Sequence, residues 1–208
     1  MPILFCLCAT LGAPAEVAFS NFGPGDSFNT STGYTETGLA PGQSVGEGFT
    51  PLVGGTLDVI IIAISHISGA NDVHLYLSDG SQGTPGPVLE SWVVPNLPQG
   101  GILDAPIVIE STAQPLLTPG NLYYIYSAEP GDQQDMWNLN SISEQGTFIV
   151  SQGGSQYYTG THTQGAFRVE VTPVPEPPSA GLLIALCGAG MLLRSRTAFE
   201  NWQQPYRL

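Results

Sequence analysis

Glycine and proline interrupt this chain so often that long regular elements have little room in most of it. Its 208 residues include 26 Gly and 18 Pro, and the stretch 17–172 shows no helical pattern of ordinary length. The hydrophobic fraction of 42% is high enough to bury a core, which argues against plain disorder. The sequence therefore predicts one domain built of short strands joined by many turns.

Short apolar and alternating segments between these breaks predict the strands. At least eight are expected, at 56–65, 72–78, 88–94, 107–110, 122–128, 136–140, 147–151 and 166–171, with 17–22 and 46–50 as further candidates. Val73, Leu75 and Leu77 share one face of a half-buried strand. The run 59–64 has no polar face, which predicts a central strand covered on both sides. This spacing predicts an all-β fold, an antiparallel β-sandwich that is jelly-roll-like.

The charge balance argues against one class of partner and leaves another open. The chain has 17 acidic and 4 basic residues, a formal net charge of −13, and Arg168 is the only basic residue within 16–173. Such a domain repels phosphate backbones, so no nucleic-acid partner is expected, and close contact with an anionic membrane surface is disfavoured. Cys6, Cys8 and Cys187 all lie outside 16–173, so no disulfide framework supports the fold.

The first fifteen residues, MPILFCLCATLGAPA, have the pattern of a secretion signal. An apolar run at 3–11 is followed by small residues, and Ala13 and Ala15 match the A-x-A cleavage pattern, which predicts cleavage before Glu16. The positively charged segment that normally precedes such a run is missing. Three interpretations therefore stay open: a signal that starts at Met1 without the charged segment, a signal whose true start lies upstream of Met1, and an ordinary apolar first strand.

A second apolar run, 180–193, lies between a proline-rich block and two arginines, Arg194 and Arg196. The block consists of Val174, Pro175, Glu176 and Pro177. The prolines favour extended chain before the run, whose leucine and alanine content favours helix, and the arginines place its end in the cytoplasm by the positive-inside rule. Fourteen helical residues span roughly 21 Å at about 1.5 Å each, short of the roughly 30 Å hydrocarbon core. The flanking residues must make up the difference.

The order of these three parts resembles the PEP-CTERM sorting signal of exported bacterial proteins. The resemblance implies that 174–177 is the motif recognised by a membrane sorting protease of the exosortase type. It also implies that 180–193 is a short transmembrane helix in the inner membrane and that Arg194 and Arg196 form the membrane stop. The family pattern usually ends soon after the basic cluster, whereas residues 197–208 follow here.

The body of the chain also resembles the secreted choice-of-anchor domains that precede such tails. The stretches that carry this resemblance are 48–65, 75–92 and 163–171. It implies a sandwich fold and export, and it implies no particular activity.

Two patterns associated with catalysis or zinc binding lack the context they need. The segment 42–46 matches the G-x-S-x-G nucleophile elbow, which requires a strand before the serine and a helix after it, and neither is predicted. His66, His74 and His162 lack the paired spacing of a zinc site and are expected to be exposed or in turns. No catalytic residue is predicted, and the chain is not expected to be an enzyme.

Carboxylates near the predicted loops leave a metal site open. The candidates are Asp26, Asp72, Asp79, Asp132 and Asp135. Loop carboxylates and backbone carbonyls can hold calcium in a β-sandwich, but these residues form no recognised calcium-binding run. One structural calcium and a set of solvated acidic loops are both open, and no other cofactor is expected.

Aromatic residues near glycine-rich turns are the candidates for a ligand-binding surface. Tyr157 and Tyr158 lie beside glycines, and Trp92 is a further candidate, because an aromatic ring offers a sugar an apolar face with a polar edge. Trp137 alternates with Leu139 and is predicted to lie in the core.

Together these patterns predict an exported cell-envelope or extracellular-matrix protein with a non-catalytic sandwich domain. The expected organisation is a secretion signal at 1–15, a β-sandwich at 16–173, a sorting signal at 174–196 and a tail at 197–208. Such a protein is anchored transiently in the membrane and then resides at the cell surface or in the matrix. The alternative is a carbohydrate- or matrix-binding module, stabilised by calcium, whose partner is an extracellular polysaccharide.

Overall fold

A computed structural model describes residues 13–39, 42–100, 105–128, 131–153 and 156–174. The chain divides into two compact units, Met1–Val174 and Pro175–Leu208, and the second unit lies wholly outside the described residues. All the regular secondary structure among the described residues is β-strand, which confirms the all-β prediction for this part of the chain. In chain order the strands are β1 (Glu16–Ser20), β2 (Phe28–Thr37), β3 (Gln43–Phe49), β4 (Gly55–Ile62), β5 (Ile64–Ser68), β6 (Asp72–Asp79), β7 (Val88–Pro95), β8 (Ile107–Glu110), β9 (Leu116–Leu117), β10 (Tyr123–Ser127), β11 (Gln134–Asn140), β12 (Gln145–Gln152), β13 (Tyr157–Thr163) and β14 (Phe167–Thr172).

These strands form two curled antiparallel sheets that face each other in a sandwich-like arrangement. One is five-stranded, in the order β1-β14-β4-β8 with β9 paired to β4. The other is nine-stranded, in the order β5-β11-β2-β3-β10-β6-β7, with β12 paired to β3 and β13 paired to β12. Many neighbours in the sheets are far apart in the sequence, so the fold depends on long-range pairing.

The core between the sheets confirms the predicted alternation. Val73, Leu75 and Leu77 are fully buried on β6, and Phe167, which is fully buried on β14, belongs to the same cluster. Trp137 is also fully buried, as predicted, and its ring meets that of Phe167 edge to face at 5.8 Å. Burying side chains of this size supplies the main driving force for folding.

The predicted strand 56–65 is in fact two strands, because the chain changes partners at Ala63. Ile62 pairs with Phe167 of β14, whereas Ile64 pairs with Trp137 of β11. The expectation that this run is covered on both sides is confirmed. Ile62 lies in the main core, while Ala63 belongs to a second cluster with Phe22. This run therefore joins the two sheets.

Two longer strands were not predicted from the sequence. β2 and β13 consist mostly of threonine, glycine, serine and other polar residues, so neither shows an apolar alternation. Their strand conformation comes from tertiary pairing, of β2 with β11 and of β13 with β12. Intrinsic strand preference is weak enough for such context to decide.

Arg168, the lone basic residue of the domain body, is used within the fold. Its guanidinium donates to both carboxylate oxygens of Asp26, at 2.7 and 3.0 Å, and its Nε lies 3.0 Å from Glu170 Oε1. This fork geometry ties β14 to the turn at 24–27. Two carboxylates, those of Asp26 and Glu170, surround this one guanidinium, so the formal net charge of the group is negative.

In the part of the chain that the structure describes, no helix is long and apolar enough to cross a membrane. The predicted transmembrane run 180–193 lies outside those residues.

Candidate functional site

A cluster of tyrosines covers part of the outer face of the nine-stranded sheet. Tyr123 and Ile125 of β10 point into the main core, so Tyr124 and Tyr126, which alternate with them, point outward. Tyr126 stacks on Tyr76 of the neighbouring β6, with ring centroids 5.2 Å apart and 18° between the planes.

Tyr157, one of the predicted binding residues, joins this cluster from β13. Its ring meets Tyr126 edge to face at 5.5 Å. Gly46 makes the approach possible, because a Cβ at this position would collide with Tyr126 Cβ. Tyr76, Tyr126 and Tyr157 are hereafter the tyrosine cluster.

The hydroxyls of the tyrosine cluster lie close enough to influence one another. Burial, then the neighbouring Tyr126 and Tyr76, raise the pKa of Tyr157 to about 12. Burial, then Tyr76, also raise the pKa of Tyr126. The hydroxyls of Tyr126 and Tyr157 therefore stay protonated over the physiological range, in a cluster in which Tyr126 is buried and Tyr76 and Tyr157 are half-buried. Neutral donors and acceptors on an apolar surface suit a neutral polyhydroxylated ligand.

Tyr158 and Trp92 are not part of this cluster. Tyr158 follows Tyr157 on β13, so its side chain projects to the opposite face, and 63% of its surface is exposed. Trp92 lies on β7, which is separated from β13 by β6, β10, β3 and β12. Its half-buried ring packs against the main core, and Nε1 donates to the Glu110 carbonyl at 3.1 Å. Trp92 thus links the edge strands of the two sheets.

Glu90 strengthens the same seam between β7 and the segment after β8. Its carboxylate accepts hydrogen bonds from the amides of Thr112 and Ala113, at 2.7 and 3.0 Å, and from Ser111 Oγ. Burial raises the pKa of Glu90, but the hydrogen bonds from Ala113, Ser111 and Thr112 outweigh burial and leave the pKa lowered. Glu90 therefore acts as an ionised clamp between the sheets.

A row of buried ionisable side chains crosses the nine-stranded sheet on its inner face. Glu36 of β2, Asp135 of β11 and His66 of β5 are direct register neighbours, and their exposures are 0%, 0% and 8%. His66 Nδ1 lies 3.1 Å from Asp135 Oδ1. The expectation of exposed or turn histidines is wrong for His66, because strand pairing carries it inward to a carboxylate. His74 also lies on a strand, β6, and His162 is exposed on β13.

Asp135 is held in an environment that favours its protonated form. The pKa of Asp135 is raised from 3.8 to about 6, mainly by burial and to a smaller extent by the charge of Asp72. The hydrogen bond and the charge of His66 lower the pKa and offset part of this increase. Asp135 was predicted to lie near a loop, and it is the second residue of β11, where its side chain is fully buried.

Glu47 is a second buried carboxyl group inside the main core. It follows Val45 and precedes Phe49 on the inward face of β3, and its exposure is 0%. Its Oε1 accepts a hydrogen bond from the Gly165 amide at 2.7 Å. Burial raises the pKa of Glu47 well above 4.5, although hydrogen bonds from Gly165 and Gln164 oppose this. Burial therefore favours the protonated form of Glu47, which acts as a hydrogen-bonded polar group within the core.

The loop carboxylates do not converge on a cation site within the described residues. Asp26 binds Arg168, and Asp79 accepts hydrogen bonds from the amide and hydroxyl of Ser81, at 2.8 and 3.1 Å. Asp132 accepts from the Ala70 amide at 3.3 Å. In the part of the chain that the structure describes, no group of three or more His, Cys, Asp or Glu is arranged to hold a metal ion.

The G-x-S-x-G segment lies in the strand β3. Ser44 is buried, with 8% of its surface exposed, and pairs with Ser151 of β12. Strand, not helix, follows it, so the context of a nucleophile elbow is missing here.

The predicted processing sites flank the described domain. Ala13 and Ala15 are exposed and precede β1, which begins at Glu16. Val174 is 53% exposed just after β14. Pro175, Glu176, Pro177, Arg194 and Arg196 lie outside the described residues.

The sequence predicted Tyr157 as a binding residue and did not single out Tyr126. The alternation in Tyr123-Tyr124-Ile125-Tyr126 places two tyrosines on one outer face, and this signal could have singled out Tyr126. The row formed by Glu36, Asp135 and His66 had no comparable signal, because its members come from three strands widely separated in the sequence.

Comparisons with known proteins do not assign this chain to a family. No protein family matches it, and no curated protein matches it. A solved structure titled "Structure of infectious bursal disease virus Gx strain" shares 10% identity with it, and the match covers 98% of this chain and 57% of that one with a TM-score of 0.24. A TM-score this low supports no conclusion about fold or function.

Proposed function

We propose that this chain is an exported bacterial cell-envelope or matrix protein whose C-terminal PEP-CTERM-like tail directs sorting. In this proposal a non-catalytic sandwich, jelly-roll-like in its connections, is delivered by the N-terminal signal. The tail anchors it transiently in the inner membrane, and an exosortase-like protease recognises Val174, Pro175, Glu176 and Pro177. Release then leaves the domain at the cell surface or in the matrix.

One observation carries this proposal: the compact unit ends at Val174, where the sorting motif begins. The last strand, β14, ends two residues earlier at Thr172, so cutting after the motif removes no strand of the sandwich. At the other end, β1 begins at Glu16, directly after the proposed signal cleavage position. The body also has no cysteine, so its stability outside the cell does not depend on disulfide formation.

The sorting step can be tested in a bacterium that has such a protease and in a matched strain that lacks it. Tagged protein should lose its anchor only in the first strain, and replacing Pro175, Glu176 and Pro177 by alanine should prevent this mass change. Alanine at Pro85 and Pro87, a second Pro-x-Pro pattern in a loop of the domain, is the matched control and should process normally. Unchanged processing after the first replacement contradicts the proposal.

The tyrosine cluster favours a second candidate function, binding of a neutral extracellular polysaccharide. Tyr157 is the most informative position, because it holds the outer end of the cluster. A glycan array probed with and without calcium chelator should show binding that Tyr157→Ala abolishes and Tyr158→Ala preserves. The two residues are adjacent and of one type, yet they point to opposite faces. Absence of binding under both conditions, or equal loss in the two variants, counts against this candidate.

A further inference from the structure

The start of β1 and the end of β14 lie side by side at one end of the five-stranded sheet. Glu16 pairs with Val171, and Thr172 pairs with Thr56 near the start of β4. Both proposed terminal segments therefore leave the domain from the same end. We call it the terminal end.

The terminal end carries apolar side chains that the core does not use. They are Val17, Leu52, Leu116 and Val174, with exposures of 49%, 83%, 61% and 53%. Leu52 is the most exposed large apolar residue among those described. Single exposed apolar residues are ordinary, whereas these four lie on neighbouring segments of one end of the sheet, which makes this end a candidate contact surface.

Pairing and hydrogen bonds hold these segments together. The Leu52 amide donates to the Ala18 carbonyl at 2.8 Å, and Leu116 pairs with Thr56. The Gly120 amide donates to the Pro51 carbonyl at 3.2 Å, which ties the two loops to each other. The exposure of Leu52 and Leu116 is thus built into an ordered surface.

Charge is sparse on the two loops of the terminal end. Neither 50–55 (TPLVGG) nor 115–121 (PLLTPGN) contains a charged residue, in a chain with 17 acidic side chains. Glu16 and Asp58 lie on the strands beside them. An apolar surface with few charges, bordered by carboxylates, suits a zwitterionic lipid surface better than an anionic one.

The tail limits how far this end can be from a membrane. Only the five residues 175–179 separate Val174 from the apolar run 180–193, and five extended residues span at most about 18 Å. If the run is anchored in a bilayer, the terminal end is within reach of the lipid headgroups.

We propose that the terminal end rests on the lipid bilayer while the tail is anchored, with Leu52 and Leu116 in contact with lipid. This inference rests on the proposed membrane anchoring of 180–193. The contact holds the residues around Val174 at the membrane surface, where a membrane-embedded protease acts. Once the tail is cut, only the four exposed apolar side chains of the terminal end remain to bind lipid. Because they hold the domain far less tightly than a membrane-spanning tail, the domain can then leave the membrane.

The test measures the depth of a label on the full chain. The native cysteines are replaced by alanine, and an environment-sensitive fluorophore is attached to a single cysteine in L52C, L116C or L39C. Each protein is reconstituted in phosphatidylcholine vesicles and floated on a density gradient to establish anchoring. Quenching by aqueous iodide is then compared with quenching by lipid-borne nitroxide.

Leu39 provides the matched control, because it is a 47% exposed leucine at the other end of the fold. Leu39 lies two residues after Thr37. Thr37 pairs with Gln134, and Gln134 also pairs with Ser68 at the far end of β5. The run formed by β4 and β5 begins at Gly55 on the terminal end, so Leu39 and Leu52 report on opposite ends.

In floated protein, the labels at 52 and 116 should lose iodide accessibility and gain nitroxide quenching, while the label at 39 stays accessible to iodide. Adding Leu116→Asp to labelled L52C should restore iodide access at position 52. Equal iodide quenching at 52 and 39 in floated protein overturns the inference and leaves the anchoring proposal standing. Failure to float overturns the anchoring proposal and this inference with it.

Discussion

Replacing Asp135 by asparagine should flatten the pH dependence of the stability of the sandwich domain. Asp135 is fully buried, its Oδ1 lies 3.1 Å from His66 Nδ1, and burial raises its pKa from 3.8 to about 6. The folded domain therefore binds the Asp135 proton more tightly than the unfolded chain does. The stability from this group is fully present below pH 3.8 and is lost as pH rises through about 6.

The size of the effect follows from the change in pKa. A rise from 3.8 to about 6, at about 1.36 kcal/mol per unit, gives a loss of about 3 kcal/mol between acidic and neutral pH. Asparagine has nearly the same shape and takes up no proton, so the variant should lack this loss. That is a substantial part of the roughly 5–15 kcal/mol by which ordinary domains are stable.

Urea unfolding at a series of pH values, followed by tryptophan fluorescence to which the buried Trp137 contributes, measures this difference. The free energy of unfolding should fall by about 3 kcal/mol more in the wild type than in Asp135→Asn from about pH 3.5 to about pH 7. Asp72→Asn should reduce the fall only in part, because Asp72 contributes a smaller share of the increase in the pKa of Asp135. A variant profile as steep as that of the wild type would refute the assignment of the effect to Asp135.

Three further substitutions test other parts of the fold by the same unfolding measurement. Glu47→Gln should remove a loss of stability that the wild type undergoes as pH rises above 4.5, since burial raises the pKa of Glu47 and glutamine takes up no proton; a variant that loses as much stability with pH as the wild type would contradict this. Trp92→Phe keeps one aromatic ring but loses the indole N–H and its hydrogen bond to the Glu110 carbonyl, so a loss of about 0.5–1.5 kcal/mol is expected, and a loss several times larger would mean that packing of the full indole dominates. Gly165→Ala should cost about 1–3 kcal/mol, because the added methyl group would collide with the Trp137 indole, and a neutral result would show that the indole can shift.

The sequence predicted best those features that a short window contains. Alternation along a strand has a period of two, so the inward positions of Val73, Leu75 and Leu77 could be read directly, and all three are buried. Trp137 was placed in the core by the same reasoning. The same alternation could not reveal β13, because both faces of this strand carry mostly polar residues.

The candidate surface divides in the same way. Tyr157 could be singled out from its neighbours in the sequence, but its contact with Tyr126 joins β13 to β10 across two intervening strands. His66 was expected at the surface, and the strand register that pairs it with Asp135 was not visible in either segment alone. The face of a strand on which a residue lies depends on the nearby sequence. The residue that it contacts on the next strand depends on how distant segments pair.

The sequence by itself determined the fold class, through frequent turn residues and short alternating strands, and it supplied the terminal patterns on which the sorting proposal depends. Only the tertiary structure decided which polar groups are buried, which rings meet and which apolar residues stay exposed beside the termini. The physical reason is that strand pairing joins segments far apart in the chain, as when Glu16 meets Val171. Hydrogen bonding between backbones is nearly independent of side-chain identity, so the partner is set by the packing of the whole core.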